Sequence, residues 1–310
     1  MKNISLIPFP CGAGSSKAGC EQGALYLHQN GLAQSLCADG INAAWSEDPA
    51  ALAAAPDGLA AHRALPPSDS PARMDFVIGH CRAFKKRCMD VLRENRTYPV
   101  TIGGDHAMAA GSLGALADAH QAHGRIGVIW IDAHADLNTP ETSPSQALHG
   151  MPLAAMLGMG HDDFVALGGT KPALQPAHIF YLGLRSVDPG EWDLIRKLGI
   201  GHYTMDDLRR TGVMKGFQDA LAAVSRNTDY LYVSIDLDAL DPAYASAVST
   251  PVADGLTLDE LRDGLAWLTR ARTPDMIEIA EFNPVNGDPQ ATQRVLHDIL
   301  QTMLQNINRP

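Results

Sequence analysis

A chain of 310 residues with 45% apolar and 19% charged side chains carries enough apolar material for a sizeable core, which excludes general disorder. Its formal net charge of -11 excludes a broad basic face for nucleic-acid phosphates. No apolar run reaches the roughly 18 residues of a membrane-spanning helix, so no span is expected.

The first predicted strand is NISLIPFP, and the leading segment MKNISLIPFPCGAG breaks its short apolar patch at Pro8 and Pro10. It lacks the long apolar stretch of a secretory signal, so a cytoplasmic protein is expected. The Gly-rich CGAGSSKAG follows. Lys17 is wrongly spaced for a phosphate loop, and a flexible loop is expected instead. A helix pattern runs through EQGALYLHQNGLAQSL. Residues 47–73, rich in Ala, Pro, Asp and Ser, predict a long surface loop, and 74–95 predict a helix. From there apolar strands alternate with helices: YPVTIGG, RIGVIWIDA, HIFYLGL, YLYVSIDLDA and MIEIAEF. Near-continuous apolar strands between helices predict a parallel sheet covered on both faces, an α/β fold in one domain over 1–310. The cysteines (Cys11, Cys20, Cys37, Cys81, Cys88) fit neither a zinc ribbon nor a CxxC motif. They read as reduced, buried structural thiols away from the polar motifs.

Three strands end in acids or histidines: TIGGDH (101–106), WIDAHADLN (130–138) and VSIDLDALDP (233–242). Side chains two apart on extended chain share a side, so Asp132, His134 and Asp136 can converge, as can Asp236 and Asp238. Sites in open parallel sheets form outside the carboxyl ends of strands. Four buried carboxylates repel one another, and hydrogen bonds alone leave a charge of about -4 uncancelled. Two divalent cations cancel it, with His106 and His134 as neutral nitrogen donors. A ligand set rich in oxygen and free of sulfur suits Mn²⁺ and disfavours structural zinc.

With GGDH (103–106), DAHADLN (132–138), HGMPLA (149–154) and SIDLDALDP (234–242), the chain resembles the arginase or ureohydrolase family of binuclear manganese hydrolases. The likeness continues through LGLRSVDPGE, STPVADGLT and EIAEFNP. It implies a three-layer α/β/α fold and two Mn²⁺ ions held by His106, Asp132, His134, Asp136, Asp236 and Asp238. It further implies a bridging hydroxide, oriented by Asp136, that attacks a guanidinium carbon. His149 matches the family's proton-transfer histidine, and Glu281 its guanidinium-binding glutamate. A homo-oligomer, trimer or hexamer, is also implied.

The arginase branch is the best match. Asn138 and Ser145 match donors to an α-carboxylate, with Ser143 where threonine is common. Asp188 matches the partner of an α-ammonium, Glu191 assists it through water, and Thr250 is kept. Three positions depart from that branch: Ala147 replaces an asparagine, Ser186 an aspartate, and Ser249 lies in the altered AVSTP loop. The expected reaction is hydrolysis of L-arginine to L-ornithine and urea. The alternatives are another guanidino or formimino compound (agmatine, guanidinobutyrate, formiminoglutamate) or a catalytically silent metal-binding relative.

Overall fold

Each apolar run read as a strand enters one parallel sheet in the computed structural model, which describes residues 2–62, 65–94 and 96–307. The strands are β1 (Asn3–Pro8), β2 (Ala43–Trp45), β3 (Thr97–Ile102), β4 (Ile126–Ile131), β5 (Ile179–Leu184), β6 (Gly201–Thr204), β7 (Tyr230–Asp236) and β8 (Met276–Ala280). Their order is β2-β1-β3-β8-β7-β4-β5-β6. The central strands are buried along both faces, which is why they read as unbroken apolar runs. One face (Ile129, Ile131, Val233, Ile235, Ile277, Ile279) packs on helices Val213–Val224, Leu258–Ala271 and Pro289–Ile307. The other (Val128, Trp130, Tyr181, Tyr232, Met276) packs on helices Pro71–Leu92 and Met108–His120. The result is the expected three-layer α/β/α arrangement.

Both edge strands were missing from the sequence reading. β2 has three residues, and every residue of β6 is half-buried, so neither carries an apolar run. The helix expected over EQGALYLHQNGLAQSL is two, Gly23–Gln29 and Leu32–Ala38, divided at Asn30–Gly31. Residues 47–73 are not a plain loop. Asp48 accepts from the Ala50 amide and caps a helix with Pro49 at its first position, and a short turn Leu59–His62 follows. The next helix is Pro71–Leu92, started by the Ser70 hydroxyl accepting from the Arg73 amide. Asn95, the end of the helix as predicted, lies outside the described residues.

The Gly-rich loop also corrects its expectation. Residues 11–15 are buried. Arg73 donates to the Ala13 and Ser15 carbonyls at 2.8 and 2.6 Å, and the Gly14 amide donates to Asp105 at 2.7 Å. Residues 11–15 are thus held in place, while Ser16, Lys17 and Ala18 are exposed. Gly104, in the left-handed region at φ +75°, lets the loop approach: a Cβ there would sit 2.5 Å from the Phe9 carbonyl oxygen. The cysteines carry no disulfide; four are buried, but Cys37 is exposed.

Candidate active site

Register brings the polar ends of four central strands to one level. Ile131 of β4 pairs with Ile235 of β7, Asp236 of β7 pairs with Ala280 of β8, and Ile102 of β3 pairs with Ile279 of β8. The next residues out are Asp132, Leu237, Glu281 and Gly103, so GGDH, DAHAD, DLD and EF emerge side by side.

Extended geometry does not carry the ligands there, contrary to expectation. β4 stops at Ile131 and β7 at Asp236. Beyond each, an aspartate folds the chain over itself. Asp132 Oδ1 accepts from the His134 amide at 2.6 Å, and Asp236 Oδ1 accepts from the Asp238 amide at 2.7 Å. These matched turns use the tendency of Asp to bond backbone two residues on. Asp136 (φ +49°) and Glu281 (φ +63°) both sit in the left-handed region. Such strain on non-glycine residues persists only where surrounding contacts hold it, and it gathers at functional sites.

All six side chains named as ligands converge. His106 Nδ1 lies 3.2 Å from Asp132 Oδ2, 3.1 Å from Asp136 Oδ2 and 3.0 Å from Asp236 Oδ2. His134 Nδ1 lies 3.1 Å from Asp238 Oδ2 and 3.5 Å from Asp132 Oδ1. Two groups have donor atoms close enough to share an ion: His106–Asp132–Asp236 and Asp132–His134–Asp238. Asp132 belongs to both.

The donor chemistry fits cations. His106 Nε2 contacts the Ser234 hydroxyl at 2.8 Å, and that hydroxyl donates onward to Glu278 Oε1 at 3.3 Å. Ser112 and Thr101 also donate to Glu278. Ser234 thus accepts from Nε2–H, and a neutral His106 turns the Nδ1 lone pair toward three carboxylates. Nδ1 is buried and makes no aligned hydrogen bond. A lone pair facing carboxylates is repulsive unless a proton or a cation stands between them. Trp130, stacked on His106 with ring centroids 4.2 Å apart, donates Nε1–H to Asp132 Oδ2 at 2.9 Å. Trp130 and Ser234 each stand two residues before an aspartate ligand, on the same side of the strand. That spacing was a usable signal, as was the lone acid Glu278 in an apolar strand, but the sequence reading passed over all three.

Without cations the cluster balances its charge with protons. Burial pulls His106 and His134 down, but neighbouring aspartates hold both imidazoliums well above their usual value. Burial and Asp132 push the Asp136 carboxyl up to about 6, and burial with Asp238 lifts Asp236 well above the carboxylate range. Divalent ions would displace these protons, so their binding should release protons and weaken on acidification. Adding Mn²⁺ to chelated protein should raise Tm by several degrees, since an ion at roughly a thousandfold its Kd adds about 4 kcal/mol. Calorimetry in two buffers of different ionisation enthalpy checks both effects, and an unchanged Tm would count against the site.

His149 and Glu281 form the second element. His149 Nδ1 donates to Glu281 Oε1 at 3.0 Å, and the His106 amide donates to the same oxygen at 2.9 Å. The His149 amide is tied to the Gly14 carbonyl at 3.1 Å. Burial lowers the imidazolium, but the Glu281 hydrogen bond and charge outweigh it and carry His149 up to about 9. Burial opposes Glu281 ionisation, yet His149 and the His106 amide bring it down to about 2. The sign follows from linkage. The His149 share of stability is complete below its ordinary 6.5 and is lost as pH rises through about 9. The Glu281 share is complete above 4.5 and is lost as pH falls through about 2. Metal-free protein should therefore lose on the order of 2–3 kcal/mol relative to a His149→Gln variant between those upper limits. Urea titrations across that range test this; a constant difference would refute it.

A cleft of about 150 Å³ opens over the cluster, lined by the cluster residues His134, Asp136 and Asp236 and by Asn138, Ser145, Ser186 and Asp188. His149, Glu191, Thr250 and Glu281 complete the wall. Asn138 Nδ2 donates to Asp188 Oδ2 at 2.9 Å, and its Oδ1 accepts from the Thr142 hydroxyl at 2.9 Å, so the amide is oriented. Ser145 is exposed and accepts from the Ala147 amide. Both Glu191 oxygens already take backbone amides, those of Leu137 and Asp188, so its observed work is to pin helix Pro189–Leu198 to the DAHADLN turn. Thr250 donates to Asp238 Oδ2 at 3.1 Å. Ser143 and Ser249 do not line the cleft. Ser249 is buried against Cys20, which corrects the placing of every cysteine away from the motifs.

Fold and cluster together place two groups of side chains that could hold metal ions at the carboxyl edge of a parallel α/β sheet. The chain belongs to the arginase family, whose family model, described as "Arginase family", matches residues 2–305. Arginase of Bacillus caldovelox is 35% identical over 295 residues, 95% of each chain, and that of Brevibacillus brevis 33% identical over 294 residues, again 95% of each. The solved Bacillus caldovelox arginase superposes with TM-score 0.88 at 33% identity over 98% of each chain, and the Bacillus cereus arginase with 0.85 at 30% over 98%. The protein is a hydrolase of amidino or guanidino bonds. Among the described residues no helix is long and apolar enough to cross a membrane.

Proposed function

We propose that this protein hydrolyses the guanidinium group of L-arginine, releasing urea and L-ornithine, as one catalytic domain over 1–310. The observation that carries the reading is one cleft lined at once by Glu281, by the cluster residues His134, Asp136 and Asp236, and by Asp188 and Asn138. Arginine has a cation at each end, and the relatives named arginase support that choice.

His106, Asp132, His134, Asp136, Asp236 and Asp238 would hold two ions, and an oxygen-rich set with two imidazoles suits Mn²⁺. When bound, such ions lower the pKa of water and supply hydroxide near neutral pH. Glu281 receives the guanidinium, a planar cation matched by a carboxylate. Asp188 faces the α-ammonium, assisted through water by Glu191, while Asn138 and Ser145 face the α-carboxylate. Thr250 steadies Asp238 beside the substrate. Asp136 orients the attacking oxygen. His149 donates Nδ1–H to Glu281, and its Nε2 holds the proton that the departing amine needs.

Ser186 in the cleft wall, where the arginase branch has an aspartate, favours a second reading, hydrolysis of a guanidino compound with less positive charge at that end. Urea release from Mn²⁺-loaded protein should be fastest with arginine. Faster release from 4-guanidinobutyrate, which has no ammonium at that end, would select the second reading, and none from any guanidino compound would end both. A homo-oligomeric trimer or hexamer and a cytoplasmic location belong to the same proposal. Five free thiols, Cys37 exposed, suit a reducing compartment.

A further inference from the structure

Glu281 has a partner on its far side that the mechanism does not use. Cys20 Sγ–H donates to Glu281 Oε2 at 3.4 Å, and Sγ also lies 3.1 Å from the Ser249 hydroxyl. Asn283 Nδ2 donates to that same hydroxyl at 3.1 Å. All four side chains are buried. The direction of every bond is determined. Asn283 Nδ2 also donates to the Ala18 carbonyl at 3.0 Å, and its Oδ1 accepts from the Val285 amide at 3.1 Å, so the amide cannot be reversed. Ser249 accepts from it, and because the single Cys20 S–H is taken by Glu281 Oε2, which only accepts, the Ser249 hydroxyl supplies the proton in its contact with Sγ. Gly19, at φ +127°, makes room: a Cβ there would lie 2.0 Å from Asn283 Oδ1.

We propose that Asn283, Ser249 and Cys20 form a one-way hydrogen-bond chain that makes Cys20 a positioning residue for the guanidinium-binding carboxylate; this rests on the role given to Glu281 above. Oε1 already accepts from the His106 amide and His149. A carboxylate offers about four lone-pair sites. With one Oε2 site filled by the thiol, a single direction remains, toward the cleft. Removing the thiol proton leaves Oε2 free to swing about the anchored Oε1.

The test pairs kinetics with vibrational spectroscopy on Mn²⁺-loaded protein. Cys20→Val should raise KM for arginine about threefold to tenfold while kcat changes less than about twofold. Cys20→Ser, which keeps a donor, should recover most of that loss. In the Raman difference between wild type and Cys20→Val, the S–H stretch should lie below that of a non-donating thiol. Ser249→Ala, which needs no change at Cys20, should shift that band upward, since a bond into sulfur strengthens the bond out of it. A band at the non-donating position, a band unmoved by Ser249→Ala, or an unchanged KM in Cys20→Val would overturn the proposal. Wild-type protein releasing no urea from arginine would instead overturn the functional reading, a separate result.

Discussion

Asp132→Ala should abolish retention of both ions and lower turnover by at least about a thousandfold, several kcal/mol of lost charge stabilisation in the transition state. Asp132 is the one side chain common to both candidate ion groups. Its Oδ2 faces His106 and its Oδ1 faces His134, so no neighbour can replace it. The same change should also lower metal-free stability by about 2–5 kcal/mol, because it leaves Trp130 Nε1–H and the His134 amide without their acceptor and takes a counter-charge from the buried His106 and His134 imidazoliums. The distinguishing outcome is that Mn²⁺ no longer raises Tm. Metal analysis and calorimetry on one sample decide it, and two tightly held ions in the variant would refute the shared-ligand geometry.

Glu281→Gln should behave differently. Metal content should stay at the wild-type level, because the Glu281 contacts are with His149, Cys20 and the His106 amide rather than within the two ion groups. The catalytic loss should still be large. A desolvated cation loses its carboxylate, a change worth about 2–5 kcal/mol, or roughly 30-fold to several-thousand-fold in kcat/KM. His149 loses the partner that holds it up to about 9. On the proposed role protonated His149 is the form that donates, so wild-type activity should fall as pH rises through its pKa, which the Glu281 hydrogen bond keeps above the ordinary histidine value. In the variant the falling limb should move toward the ordinary histidine value. A pH–rate profile separates this from simple loss of binding; an unmoved limb would remove His149 from the proton-donating role.

The parallel sheet and its helical layers could be read from the runs themselves. IGVIWI and IFYLGL are apolar without alternation because both their faces are covered. The edge strands escaped because AAW is short and GHYT faces a core only in part. The ligand candidates were legible because aspartates and histidines at strand ends need an explanation that burial alone does not supply. Their means of convergence was not. It depends on the turns at Asp132 and Asp236 and on strained backbone at Asp136, where a local bond overrides extended geometry.

Chemical type and periodicity act over a few neighbours, so the order of residues alone settled the layered fold class, the acid-and-imidazole composition of the strand ends and the membership of six side chains in one cluster. Contacts between remote segments obey no such local rule. Cys20 meets Ser249 across 229 positions and Glu281 across 261, and His149 is anchored by a glycine loop that reads as mere punctuation. Only packing of the folded chain brings these groups within hydrogen-bond reach, and only there does burial convert their proximity into shifted protons and directed bonds.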